Sequence, residues 1–190
     1  MNRQCQLSNV ARDYLETYQC ILENMIKGMT CANLTDSISS NFISQMIPHH
    51  QAAIEMCQNL LRFTTNVPLQ NIAQNIICEQ TRSIENMQEI ACGCEQCTNC
   101  RQDLCQYQER ANCIMNTMFR DMKCVNGTNQ INADFIRQMI PHHRGAIEMC
   151  QNALCYNICP QLTPILKSII CSQERGIAQM ERLLKCMNCN

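Results

Sequence analysis

The chain contains no tryptophan, and aromatic residues make up only 4% of its 190 residues. Five glycines and five prolines are also few for this length. Long stretches therefore run without the residues that interrupt regular structure, which favours helices. Hydrophobic residues reach 46%, so a core is within reach, but it must be built from Ile, Leu, Met and Cys. The composition predicts an all-α protein.

Charge is scarce as well. Charged residues make up 16% of the chain and the net charge is −1, so it lacks the basic surface that a nucleic-acid partner requires. No apolar run approaches the roughly 18 residues that a membrane span needs. The first residues show no apolar segment of a secretory signal. We therefore expect a cytoplasmic protein without a membrane span and without a nucleic-acid partner.

Cysteine, in contrast, is abundant, with 18 residues. In a short secreted protein this density is typical of a disulfide scaffold. Because no signal is visible, we expect a reducing compartment, where thiols stay reduced and are available to metals. The disulfide interpretation stays open, since the compartment is inferred only from the missing signal.

All four histidines lie inside two nearly identical segments. QMIPHHQAAIEMCQN occupies residues 45–59 and returns as QMIPHHRGAIEMCQN at residues 138–152. Further matches at the same offset extend the repeat along most of the chain. We predict two tandem, pseudo-symmetric units of three helices each, residues 1–93 and 94–190. They should pack together as one bundle, because one unit cannot easily bury its sulfur and histidine face alone.

Hydrophobic periodicity also places the individual helices. They are expected at about residues 4–27, 39–63, 68–91, 101–123, 134–156 and 163–185. Asn41 and Asp134 are the predicted N-caps of the two middle helices, because such side chains accept hydrogen bonds from the first turn. Pro48 falls within the first of these helices and predicts a kink beside the histidines.

Each repeated segment carries a thioether, two imidazoles and a thiol on or beside the helical stripe that faces the other helices. Copper(I) favours this set, whereas zinc has little use for thioethers and magnesium or calcium needs carboxylates. We therefore predict twin copper(I) sites, each completed by a methionine of the third helix. Their residues are Met46, His49, His50, Cys57 and Met87, and Met139, His142, His143, Cys150 and Met180. 

A single buried histidine is more often a satisfied core residue than a ligand. Two adjacent histidines, duplicated beside Met and Cys, make that interpretation the weaker one. Gln80 and Gln173 lie on the facing stripe of the third helices. We predict that they hydrogen-bond the imidazoles and so fix which ring nitrogen carries the proton.

Further sulfur lies outside the repeated segments. The first helices of the two units contribute Met25, Met29 and Cys31, and Met118, Met122 and Cys124. These methionines serve either as ligands or as core packing. The joint between the units adds Cys92, Cys94, Cys97 and Cys100. These four thiols predict a zinc site, a copper(I) thiolate cluster or disulfides.

The motif Phe-x-x-x-Met-Ile-Pro-His-His-x-x-Ala-Ile-Glu-Met, followed by Ile-Ile-Cys-x-Gln, resembles the bacterial family called domain of unknown function 305. The resemblance covers about residues 25–87 and 118–180. It implies a ferritin-like helical fold and copper binding through Met and His. Those roles fall on Met46, His49, His50, Met87, Met139, His142, His143 and Met180. The chain departs from the family in its many cysteines and in the missing export signal.

Catalysis is not expected. A diiron enzyme on a ferritin-like scaffold needs Glu-x-x-His pairs, which the sequence lacks, and no nucleophile–base arrangement is evident. We expect a protein that buffers, stores or detoxifies copper(I), and silver fits the same ligands. Its partners would be metal ions, with a homo-oligomer or a metal-delivery partner compatible with this role. The alternative is a structural protein, of the spore-coat or envelope type, cross-linked through cysteine.

Overall fold

Six helices make up the fold of the computed structural model, which describes residues 6–188. They are α1 (Asn9–Thr30), α2 (Ile38–Leu61), α3 (Val67–Glu95), α4 (Arg101–Lys123), α5 (Ile131–Ala153) and α6 (Leu162–Asn188). The described residues contain no strand, so the predicted all-α class is confirmed. The predicted helices match these bounds to within about five residues at each end; residues 4 and 5, predicted to begin the first helix, lie outside the described range.

The two middle helices begin earlier than predicted. Ser37 is the N-cap of α2, where its side chain accepts from the N–H of Ser40, and Gln130 holds the equivalent place before α5. The predicted caps lie inside the first turn instead. Asn41 accepts a hydrogen bond from the N–H of Thr35 at 2.7 Å, and Asp134 accepts one from the N–H of Thr128 at 2.6 Å. Both side chains therefore bind the loop that enters the helix rather than the helix itself, so the cap prediction was wrong.

Four of the helices form a closed ring. α2 packs on α3, α3 on α6, α6 on α5, and α5 again on α2. α1 packs against α2 and α4 packs against α5 on the outside of this ring. The two histidine-bearing helices, α2 and α5, therefore each pack against three other helices, which places most of the repeated segments in the interior, with only Gln51, Gln58, Arg144, Glu148 and Gln151 exposed. None of the helices in the described range is long and apolar enough to span a membrane.

Individual contacts recur at an offset of 93 residues. Asn59 donates to the carbonyl of Tyr14 at 3.0 Å, and Asn152 donates to the carbonyl of Tyr107 at 3.1 Å. Both bonds are buried and tie an outer helix to a histidine-bearing one. The division of the chain into units 1–93 and 94–190 stays a prediction.

Sulfur fills much of the core. Eleven methionines have side chains that are no more than 3% exposed: Met25, Met29, Met46, Met56, Met87, Met115, Met118, Met122, Met139, Met149 and Met180. Flexible thioethers occupy the space that aromatic rings fill in other cores. The imidazoles are thus surrounded by a dry, soft and polarisable medium.

Candidate metal centre

His49 of α2 and His142 of α5 face each other at the centre of the ring of helices. Their imidazoles stack with centroids 3.6 Å apart, and both side chains are fully buried. Nε2 of His49 lies 3.2 Å from the carbonyl oxygen of His142, and Nε2 of His142 lies 3.1 Å from that of His49. A carbonyl only accepts, so each Nε2 donates and carries the ring proton. Each Nδ1 is therefore left with a lone pair.

His50 and His143 flank this stacked pair. Their ring centroids lie 5.8 Å from His49 and 5.9 Å from His142, respectively. Nε2 of His50 is 3.0 Å from the hydroxyl of Ser83 on α3. The equivalent residue of α6 is Gly176, where an added Cβ would lie 3.0 Å from Nε2 of His143. One imidazole thus meets a hydroxyl and its counterpart fits against bare backbone.

The Nδ1 atoms of all four imidazoles lack a hydrogen-bond partner within the described part of the chain. All four rings are at most 2% exposed, so water does not satisfy these atoms freely. A buried polar atom without a partner costs about 1–3 kcal/mol, and four in one core are unusual. An unprotonated Nδ1, as in His49 and His142, is the atom through which neutral imidazole binds a metal.

The histidines are also held neutral. Burial lowers the pKa of every one of them, to about 3 for His50 and about 4 for His142. Burial also lowers the pKa of His49 and His143 well below the ordinary value, and charge on neighbouring histidines lowers them further. Protons therefore do not compete for these nitrogens near neutral pH.

The sulfur atoms of the predicted twin sites are all in the interior. Met46, Met87, Met139 and Met180, together with Cys57 and Cys150, are 0% exposed and belong to one core. The two thiols approach the outer helices, however. Cys57 lies near Tyr14 of α1 and Cys150 near Tyr107 of α4, whereas His50 meets Ser83 of α3. Burial raises the pKa of both thiols, so they stay protonated. Whether any of these residues binds metal stays a prediction.

The predicted glutamine partners of the imidazoles are not in place. Gln80 is 2% exposed, and neither its Oε1 nor its Nε2 finds a hydrogen-bond partner among the described residues; the same holds for Oε1 of Gln173. The serine hydroxyl at His50 and the backbone carbonyls at His49 and His142 take that role instead. The glutamine prediction was therefore wrong.

The sulfur predicted on the first helices of the two units does not come together. Met25, Met29, Met118 and Met122 are at most 2% exposed. Cys31 and Cys124 follow the last turns of α1 and α4 and are exposed. The side chain of Met118 packs directly against Gly145. The structure thus favours core packing for the methionines and separates the two thiols from them.

The four thiols at the joint between the units do not converge either. Cys92 and Cys100 are exposed, and the sulfur of Cys100 accepts from the N–H of Asp103 at 3.5 Å as the cap of α4. Cys94 is 0% exposed and Cys97 is half-buried. Over residues 6–188, no group of three His, Cys, Asp or Glu side chains is arranged to hold a metal ion. The predicted zinc site therefore gains no support, and a centre at the imidazoles would have to include thioethers.

Cys94 and Cys97 instead hydrogen-bond the sulfur of Cys159, which precedes α6. Burial raises the pKa of the Cys94 thiol to about 12 and also raises that of Cys97. Burial would raise the pKa of Cys159 too. Hydrogen bonding from the two thiols and from the N–H of Gln161 outweighs it and lowers that pKa. The sequence analysis missed Cys159; its signal is that the repeat has Asn66, not cysteine, at the equivalent position.

The protein is an all-α bundle with histidine and methionine buried in its core. Comparison with known proteins identifies the family. The family model described as domain of unknown function (DUF305) matches residues 21–91 and 39–184. The chain belongs to this family, as its repeated motif predicted. No protein of curated function matches it.

Two solved structures share the fold. CopM, in a silver-bound form obtained by soaking, is 27% identical to this chain, with a TM-score of 0.59. The match covers 80% of this chain and 97% of CopM. A DUF305 fragment from Deinococcus radiodurans is 20% identical, with a TM-score of 0.58, and the match covers 81% of this chain and 97% of the fragment.

Proposed function

We propose that this protein binds copper(I), and silver(I) equally well, in the core of its helical bundle, and that it buffers, stores or detoxifies these ions rather than catalysing a reaction. One observation carries the proposal: four buried, neutral imidazoles each have an Nδ1 without a partner in the described structure, and in His49 and His142 that atom holds a lone pair because Nε2 carries the proton. Thioethers of the surrounding methionines supply the soft ligands that copper(I) favours. Met46, Met87, Met139 and Met180 would hold the ions together with the histidines.

The charge of the ligands supports a monovalent ion. Imidazole and thioether are neutral, so the full charge of a bound ion stays in the core. The cost of burying a charge grows with its square, which makes a divalent ion about four times as costly as a monovalent one before ligation. Glu55 is only half-buried and Glu148 is exposed, so neither supplies a compensating charge inside. This argument disfavours zinc, magnesium and calcium at the imidazoles.

An entry route is in place at Ser83. This residue contacts His50 and also lines a cleft of about 170 Å³ between α3 and α6. Cys78 lines the same cleft. Across the cleft, Arg175 of α6 forms a salt bridge with Glu79 of α3 at 3.1 Å. The cleft therefore connects solvent to a residue that touches the first imidazole. Ions would pass a thiol and a hydroxyl before they reach the core.

Silver(I) should move the imidazole nitrogen resonances of the protein in a specific way. In protein labelled with ¹⁵N-histidine and kept reduced, we expect silver(I) to shift the Nδ1 signals of His49 or His50, and of His142 or His143. The Nε2 signals of His49 and His142 should stay in their protonated range, because those atoms remain bonded to carbonyls.

Zinc(II) serves as the matched control and should leave the same signals in place, because the core offers it no anionic ligand. Unchanged Nδ1 signals with silver(I), while the bundle stays folded, would contradict the proposal. Metal uptake would then be a property of the cysteines alone.

A second candidate function rests on the cysteines of the surface. Among residues 6–188, eleven of them are exposed: Cys20, Cys31, Cys78, Cys92, Cys100, Cys105, Cys113, Cys124, Cys155, Cys171 and Cys186. Such a surface suits a structural protein cross-linked by disulfides. Electrophoresis of protein extracted with its thiols blocked separates the two candidates, since disulfide-linked ladders favour the structural role and monomers the metal-binding role.

A further inference from the structure

Three cysteines from distant parts of the sequence meet at one end of the bundle. Cys94 lies in the last turn of α3 and Cys97 in the turn that follows, where its N–H donates to the carbonyl of Cys94 at 3.2 Å. Cys159 comes from the loop between α5 and α6. Its sulfur lies beside both thiols and beside the N–H of Gln161, while the N–H of Leu162 donates to the carbonyl of Cys159 at 2.9 Å. Thiol and N–H donors around a sulfur favour its thiolate form.

The backbone holds this cluster in place. The N–H of Cys159 donates to the hydroxyl of Ser39 at 2.8 Å, and the hydroxyl of Ser37 donates to the carbonyl of Cys94 at 2.8 Å. Both serines lie at the start of α2, Ser37 as its N-cap, and both are fully buried. The two chain segments that carry the thiols are thus fixed to the same helix end. A ligand set on rigid elements loses little entropy when it binds an ion.

We propose that Cys159, with either Cys94 or Cys97, forms a two-thiolate site for one copper(I) or silver(I) ion, separate from the imidazole core. Thiolates select copper(I) among the available metals. Zinc requires about four ligands, and the described residues contain no His, Cys, Asp or Glu group arranged to supply even three. Copper(I) accepts as few as two, so Cys159 with one neighbouring thiol is enough.

Binding at this site exchanges protons for metal. The thiol protons of Cys159 and of Cys94 or Cys97 leave to solvent as the two sulfur–metal bonds form, and no electron is transferred. Cys94 and Cys159 are at most 4% exposed, whereas Cys97 is half-buried. Cys97 is therefore the sulfur that an incoming ion meets first, and the other two lie behind it.

The test is competition for copper(I) against bathocuproine disulfonate without oxygen. It compares the parent protein with a site variant, C94S/C97S/C159S, and with a control variant, C20S/C105S/C113S, which removes three exposed thiols. We expect the site variant alone to lose one tightly held equivalent. Its affinity at this site should fall more than about a hundredfold, because loss of even an outer-shell partner costs about ten- to a hundredfold.

The same comparison is repeated in protein that also carries M46L/M139L, to test whether this site is independent of the imidazole core. The copper(I) equivalent bound by the thiolates should remain in that background. C159S alone, which keeps both backbone hydrogen bonds of residue 159, replaces the triple variant if circular dichroism shows that the latter does not fold. Equal copper(I) retention by site and control variants would overturn the proposal. So would a disulfide between Cys159 and Cys94 or Cys97 in protein purified without oxygen.

Discussion

A variant without the histidines and methionines of the core should bind copper(I) more than about a thousandfold more weakly than the parent protein, because several ligands are lost at once. The replacements are His49, His50, His142 and His143 to Ala, and Met46, Met87, Met139 and Met180 to Leu. The measurement is anaerobic competition with a copper(I) chelator after iodoacetamide has blocked the exposed thiols. Blocking is needed because surface thiolates would otherwise mask the loss.

Met56 and Met149 provide the matched control for this experiment. They lie on the same two helices as Met46 and Met139 and are equally buried, but they are not in the predicted ligand set. M46L/M139L should lower the affinity, whereas M56L/M149L should not, since a buried Met-to-Leu exchange costs less than about 1.5 kcal/mol of stability. A folded eight-residue variant that keeps the parent affinity would place copper(I) elsewhere.

The metal-free protein should lose stability steeply when the pH falls below about 6.5. Above that pH neither the folded nor the unfolded chain protonates its histidines, so stability is complete. Below it the unfolded chain takes up protons that the native core refuses, because burial lowers the pKa of His50 to about 3 and that of His142 to about 4. Each histidine lowers the free energy of unfolding by about 1.4 kcal/mol per pH unit, so four lower it by up to about 5.5 kcal/mol per pH unit.

Since a whole domain is stable by only about 5–15 kcal/mol, unfolding is expected between about pH 6 and 4. Urea unfolding followed by circular dichroism across this range measures the slope. A variant with H50Q/H143Q removes two of the four titrating groups and should roughly halve it. A stability that stays constant from pH 6.5 to 4.5 would show that the imidazoles are not held neutral in the native state.

The parts of the fold that depend on local pattern followed from the sequence. Helical periodicity placed all six helices, and the repeated motif identified the segments that reach the centre. The local sequence did not decide between two polar residues that could both serve as the N-cap of α2. Ser37 and Asn41 are both suitable caps, and only the packing of the preceding loop decided for Ser37, which also bonds the carbonyl of Cys94.

The parts that depend on contacts between distant segments could not be predicted. Nothing in the repeated motif indicates that His49 would bond the backbone of His142 rather than Gln80, because this requires knowing which helices face each other. Cys159 was missed for the same reason, since 65 residues separate it from Cys94. The exposure of Cys31 and Cys124 could not be predicted from helical spacing, because both follow the last turns of α1 and α4, and their role as ligands stays a prediction.

The stacked pair of His49 and His142 sets a limit on how the core fills with metal. Their ring centroids are only 3.6 Å apart, so an ion bound to one imidazole repels an ion approaching the other. Each ion would lie beyond the edge of its ring, and two unit charges about 8 Å apart still repel by about 2 kcal/mol at an effective dielectric constant of about 20. The second ion should therefore bind with negative cooperativity, visible as two separate steps in an anaerobic silver(I) titration. A single step of two equivalents would contradict this. Two unequal affinities from one duplicated motif let the protein respond over a wider range of free metal than two identical sites would.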